Sequence, residues 1–128
     1  MKVQFIDFSL QPRPECTFLN ADELIMFLRQ LQGEESLSGE LVGDNGYKLT
    51  FGIDGQLAFA QYSSTDGDPP YLVANAVKPM AESHDFLVTN ELTEIDGNNC
   101  LSFDEFEAIV RHFMETGQNS PINQWNDA

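Results

Sequence analysis

Apolar residues recur along this chain at two spacings, and each spacing predicts a different element. In the last third, Phe106, Ile109, Val110 and Phe113 follow a 3.6-residue period, with Phe103 one turn earlier. That period predicts a helix with one apolar face. Ser102 and Glu105 mark its start as a capping box: the hydroxyl takes the amide of Glu105, and the carboxylate reaches back to the amide of Ser102. Asp104 and Glu105 lie at the positive end of the helix dipole, with Arg111 and His112 nearer the negative end. Gly117 can adopt the left-handed conformation that stops a helix. An earlier helix is predicted as well. Asn20 with Glu23 caps it, Leu24, Phe27, Leu28 and Leu31 form its buried face, and Gly33 ends it.

Elsewhere the period is two. Val3, Phe5 and Phe8 sit among polar neighbours and predict a first strand, broken by Pro12 and Pro14. Residues 47–53 alternate large apolar with small or polar groups, Asp54-Gly55 supplies a turn, and residues 56–62 return, which predicts a hairpin. Residues 47, 49, 51 and 53 are expected to share one apolar face with 57 and 59, and that face receives the helices. Residues 71–73 and 84–89 read as further strands, joined by a connection containing Lys78-Pro79. Residues 63–70 form a loop of turn formers and charge. Residues 34–46 read as a polar connection with a turn tip at Asp44-Asn45-Gly46 and room for a short strand at 39–42. Trp125 is expected to fold back under the late helix. The fold class is α+β: a single domain, residues 1–128, in which an early and a late helix pack on an antiparallel sheet.

Composition bounds the function. A chain of 128 residues supports one domain with a real core, and 41% hydrophobic residues, ten of them Phe, exclude a disordered acidic tail. No apolar run approaches the roughly 20 residues that span a bilayer. Asp7 interrupts the stretch where a signal peptide needs unbroken apolar residues, so the chain is expected in the cytoplasm. Cys16 and Cys100 are far apart and are expected to be reduced. Twenty-one acidic residues against six basic ones give a net charge of −15, more than solubility requires. Such a field disfavours nucleic acid and anionic membranes and favours a basic protein partner. The bland alternative is a merely acidic soluble protein.

Candidate chemistry is sparse. The sequence has no Gly-rich phosphate loop, nucleophile elbow, cysteine pair or zinc-type histidine pair. His84-Asp85 could orient an imidazole, but a solvated histidine at a strand start is the better reading. Carboxylate pairs are expected by chance at this charge. The reading is therefore a non-enzyme with no cofactor and no metal. One motif supports an alternative: residues 94–105 fit much of an EF-hand calcium loop, with oxygen donors at loop positions 1, 3, 5 and 9, Leu101 at 8 and Glu105 at 12. Against it, Glu94 replaces the usual aspartate, Asn99 replaces the turn glycine, and the incoming segment alternates like a strand.

The order of motifs also carries a resemblance. Leu49-Thr50-Phe51-Gly52-Ile53 is followed by an apolar return, an Asp-rich turn ending in Pro70-Tyr71, and a late strand. The capped helix with Phe113-Met114-Glu115-Thr116-Gly117 comes next, and Trp125 closes the chain. From Asn20 to Trp125 this resembles immunity protein family one of bacterial polymorphic toxin and contact-dependent growth inhibition systems. The resemblance implies a small cytoplasmic binder, without catalytic residues, that neutralises a cognate toxin such as a nuclease or nucleic-acid deaminase. The charge independently suits a plug for a basic cleft, as a monomer in a 1:1 complex. From Glu82 to Glu107 every Asp, Glu, Lys, Arg or His except His84 is acidic. The expected surface is therefore an acidic edge formed by Asp66, Asp68 and Tyr71 with Glu91, Glu94 and Asp96. Tyr71 or Tyr62 is the aromatic anchor if exposed, and Tyr62 is otherwise core.

Overall fold

The computed structural model describes residues 1–33 and 36–128. Both helices begin where their caps place them. Asn20 accepts the amides of Asp22 and Glu23 at the start of α1 (Ala21–Gln32), and Ser102 and Glu105 complete the capping box of α2 (Phe103–Thr116). Gly117, at φ 74°, ends α2 in the left-handed conformation, its amide donating to the Phe113 carbonyl. On α1 the buried face is Leu24, Ile25, Leu28 and Leu31, with Phe27 only half-buried. Ile25 takes the place expected for Phe27, whose ring instead meets Phe5 and Phe18 at the helix flank.

The strands are β1 (Val3–Asp7), β2 (Cys16–Phe18), β3 (Leu37–Gly43), β4 (Tyr47–Asp54), β5 (Leu57–Ser64), β6 (Tyr71–Ala74), β7 (His84–Val88), β8 (Glu91–Ile95), β9 (Leu101–Ser102) and β10 (Trp125–Asp127). The main sheet runs β10-β6-β5-β4-β3-β1-β2, antiparallel at every pairing, with β9 joined to β5. β7 and β8 form a separate two-stranded sheet. The chain is thus α+β: a large antiparallel sheet with one early and one late helix.

Two expectations are corrected here. The stretch read as a polar connection contains β3, a full seven-residue strand between β1 and β4; its start at Glu34 and Glu35 lies outside the described residues. Gly39 and Gly43 occupy core-facing positions of β3 beside Leu37 and Leu41, so the alternation is present but half of its apolar signal is missing. A side chain at Gly39 would meet the Ile6 carbonyl and the Phe51 ring.

The second correction concerns facing. Asp54 pairs with Leu57 across a two-residue loop, so Leu49, Phe51 and Ile53 stand opposite Tyr62, Ala60 and Ala58. Partners in a two-residue hairpin have opposite parity, which puts Leu57 and Phe59 on the other face. The helix face holds Leu41, Leu49, Phe51, Ala58, Ala60 and Tyr62 against Leu24, Leu28, Phe106, Ile109 and Phe113. The opposite face builds a second, smaller core from Phe59, Phe86, Ile95 and Cys100. The molecule therefore has three layers: helices, main sheet and the β7–β8 hairpin.

Trp125 packs on the helix-side core from a strand rather than as a free chain end folded under α2. It opens β10 opposite Ala74 of β6, its indole Nε1 donates to the Ser120 carbonyl at 2.7 Å, and its ring lies edge-on to Tyr62. A sheet edge gives the backbone of residues 125–127 hydrogen-bond partners that a helix side lacks.

Candidate functional site

The β7–β8 hairpin turns through Thr89 and Asn90, at φ 49° and 65°. Two consecutive positive φ values are what a two-residue hairpin turn of type I′ requires. Because neither residue is glycine, the sequence carries no strong turn signal to separate β8 from β7. The hairpin is fixed to the main sheet at both ends. At its base His84 Nε2 lies 2.7 Å from Asp54 Oδ2, and at its tip the Asn90 amide donates to Ser38 Oγ at 3.2 Å. The hydrogen bond from His84, then that from Ser36, holds the Asp54 carboxyl below its usual range. His84 thus pairs with Asp54 rather than with its neighbour Asp85, with its ring against Phe86. Between these ends, Gly52 lets the strands close: a Cβ there would lie 2.6 Å from the Leu87 carbonyl oxygen and 3.3 Å from Phe86 Cβ.

With Phe86 and Ile95 turned inward, the opposite side of the hairpin presents Asp85, Leu87, Leu92 and Glu94. Leu92 is 71% exposed. Asp85 and Glu94 stand directly across from each other, and like charges so placed repel. Neither has an ion-pair or hydrogen-bond partner among the described residues. Glu91 is exposed next to the turn, and exposed Asp96 caps the short 3-10 turn Gly97–Asn99 by accepting the Asn98 amide. Glu91, Glu94 and Asp96 therefore belong to one acidic strand and its end. Asp85 and Leu92 share the outward face with Glu94, whereas Glu91 alternates onto the side of Thr93 and Ile95 and is exposed only beside the turn; alternation within β7 and β8 was the signal that could have found them.

Asp66, Asp68 and Tyr71 gather elsewhere. Their loop closes on itself: Asp66 accepts from the Ser64 hydroxyl and the Asp68 amide, and the Tyr71 hydroxyl donates to the Gly67 carbonyl. The first of these bonds, then the second, depresses the Asp66 carboxyl. Tyr71 is 41% exposed, whereas Tyr62 is core at 2%. This loop follows Ser64, at the end of β5 opposite Leu57, while His84 docks beside Asp54 at the Leu57 end. Seven residue steps of strand, roughly 23 Å, separate those ends. The single acidic edge expected from the sequence is two patches.

The 94–105 segment departs from a calcium loop. It is entered from a strand, Asn99 donates to the Ala74 carbonyl and Asn75 Oδ1, and Glu105 is held by Ser102, the Val77 amide and Asn123. Among the described residues no group of three or more His, Cys, Asp or Glu side chains converges as a metal site. A cavity of about 480 Å³ beside the segment is lined mainly by amides, including Asn75, Asn98, Asn99 and Gln124, with Asp96 as its one carboxylate. Both cysteines are free thiols, and burial pushes that of Cys100 up. No helix among the described residues is long and apolar enough to cross a membrane.

Four of the six Lys and Arg residues are tied to carboxylates on other elements: Arg13 to Asp7, Arg29 to Glu107, Lys48 to Glu40 and Arg111 to Asp22. None lies on β7 or β8. No protein-family model matches the chain, and no curated protein matches it at a significant level.

Proposed function

We propose that this chain is an immunity protein: a small anionic binder that neutralises a cognate basic toxin, of the nuclease or nucleic-acid deaminase class, in a 1:1 complex in the cytoplasm. The observation that carries the reading is the β7–β8 hairpin, which bears Asp85, Glu91 and Glu94 with no Lys or Arg of its own and is hydrogen-bonded to the main sheet at both ends. A toxin that attacks nucleic acid must attract phosphates, so its cleft is basic, and a pre-formed acidic surface captures it quickly. Leu92 supplies the apolar contact that charge alone lacks. An interface of about 1,600 Å² is enough for a stable complex.

The test is co-expression with the product of an adjacent gene, followed by co-purification and rescue of growth. Reversing Asp66, Asp68, Glu91 and Glu94 together to Lys should slow association with the captured toxin about tenfold or more and flatten its salt dependence. Splitting the set into the loop pair and the hairpin pair assigns the effect to one patch. Unchanged kinetics in the fourfold variant eliminates both patches.

A further inference from the structure

The outer edge of β8 is a row of main-chain groups that no other strand among the described residues pairs with. In a two-residue hairpin the residues flanking the turn, here Val88 and Glu91, form the first hydrogen-bonded pair, and such pairs then alternate along the strands. Glu91, Thr93 and Ile95 therefore direct their main-chain groups at β7, and Leu92 and Glu94 direct theirs outward. Each outward residue offers one N–H and one C=O. β8 pairs with β7 alone, and no hydrogen bond from another described residue reaches the amides or carbonyls of Leu92 and Glu94.

We propose that this edge is a strand-addition site for a basic extended segment of the partner, which pairs with Leu92 and Glu94 through its backbone. The proposal rests on the immunity reading for the identity of the partner, but not for the geometry of the edge. Charge selects the occupant. A second copy of this chain, at −15, would set Glu91 and Glu94 against more carboxylates. Charged side chains on an edge strand protect it from self-association in this way. A strand carrying Lys or Arg opposite Glu94 instead relieves the Asp85–Glu94 repulsion, because directly opposed side chains lie about 5 Å apart. An aliphatic residue two positions away on that strand falls opposite Leu92. The recognised pattern is thus a basic and an aliphatic residue at i and i+2 of an extended segment, with backbone bonds supplying affinity and the two side chains supplying choice.

The experiment uses the full chain and a synthetic peptide of alternating lysine and valine. Binding should slow hydrogen exchange at the Leu92 and Glu94 amides and leave those of Glu91, Thr93 and Ile95 unchanged. Absence of protection at the two outward amides, or protection confined to β2 or β10, overturns the proposal. Leu92→Pro removes one outward N–H without altering charge, at a place where an edge strand tolerates proline. It should weaken peptide binding tenfold or more, and unaltered affinity overturns main-chain pairing. The captured toxin separates this inference from the reading beneath it. A toxin held equally by wild type and Leu92→Pro removes strand addition and leaves the immunity reading intact. Failure of any basic protein to co-purify removes the immunity reading, and the peptide experiment still decides the edge.

Discussion

Tyr62 shows how one side chain joins layers that the sequence keeps far apart. It lies on β5, stacks on Tyr47 at 5.2 Å between ring centres, and donates its hydroxyl to the Gly117 carbonyl at the end of α2. Burial, and secondarily Tyr47, pushes its phenol up to about 12. An unfolded tyrosine titrates near 10. The folded state thus holds the proton more tightly, so the contribution is complete below pH 10 and declines as pH rises from 10 through 12. The full decline is about 2 to 3 kcal/mol. Tyr62→Phe loses the hydroxyl's bond, about 1 kcal/mol at neutral pH, while Gly117 keeps its second donor, Asn45. Urea unfolding at pH 7.5 should rank wild type above Tyr62→Phe, and the difference should shrink above pH 10, invert at about pH 10.7 and be clearly reversed by about pH 11.5. A constant difference across that range would show that the phenol ionises no harder in the fold than in the unfolded chain.

At the scale of elements, the hairpin's position depends on the close approach at Gly52. Alanine there cannot be relieved by rotating a flexible tip, because the nearest atom is the Leu87 carbonyl oxygen, fixed within the β7–β8 pair. Gly52→Ala should cost about 1 to 3 kcal/mol and speed hydrogen exchange across β7 and β8 before the rest of the sheet. Gly33 is the control: it has φ −77° and open space where a Cβ would point, so Gly33→Ala should cost nothing measurable. Uniform loss across both sheets would show that the hairpin does not move as a unit. The same elements show what the sequence reveals and conceals. Capped helices are legible because Asn20, Ser102, Glu105 and Gly117 each act on groups within about one turn of themselves. The β4–β5 hairpin is legible from alternation and Gly55. β3 is obscured because Gly39 and Gly43 stand where apolar residues would announce it. β8 is obscured because Thr89 and Asn90 make a turn usually signalled by glycine. The acidic residues were nameable, but their division into two patches depends on strand register, which local pattern does not contain.

At the scale of the whole molecule, the question is which positive charge answers −15. A divalent cation and a basic protein would both be drawn to this field, and they differ in what they demand of geometry. Calcium needs six to eight oxygens converging at 2.3–2.6 Å, whereas Glu94 faces out of β8 and Glu105 is turned back into the capping box. A protein needs only a firm, complementary surface, and its attraction fades as salt screens exposed charges beyond about 10 Å at 0.1 M. Trp125 reports on either event, because it sits at the sheet edge bonded to Ser120, near the segment that a calcium loop would reorganise. Millimolar calcium in physiological salt should leave its emission and the melting temperature unchanged. On the proposed immunity reading, a cognate toxin should raise the melting temperature by an amount that grows with toxin concentration and declines with added salt. A saturable calcium shift that Glu105→Gln abolishes, with no salt-sensitive protein partner, would replace the proposed protein capture with ion binding.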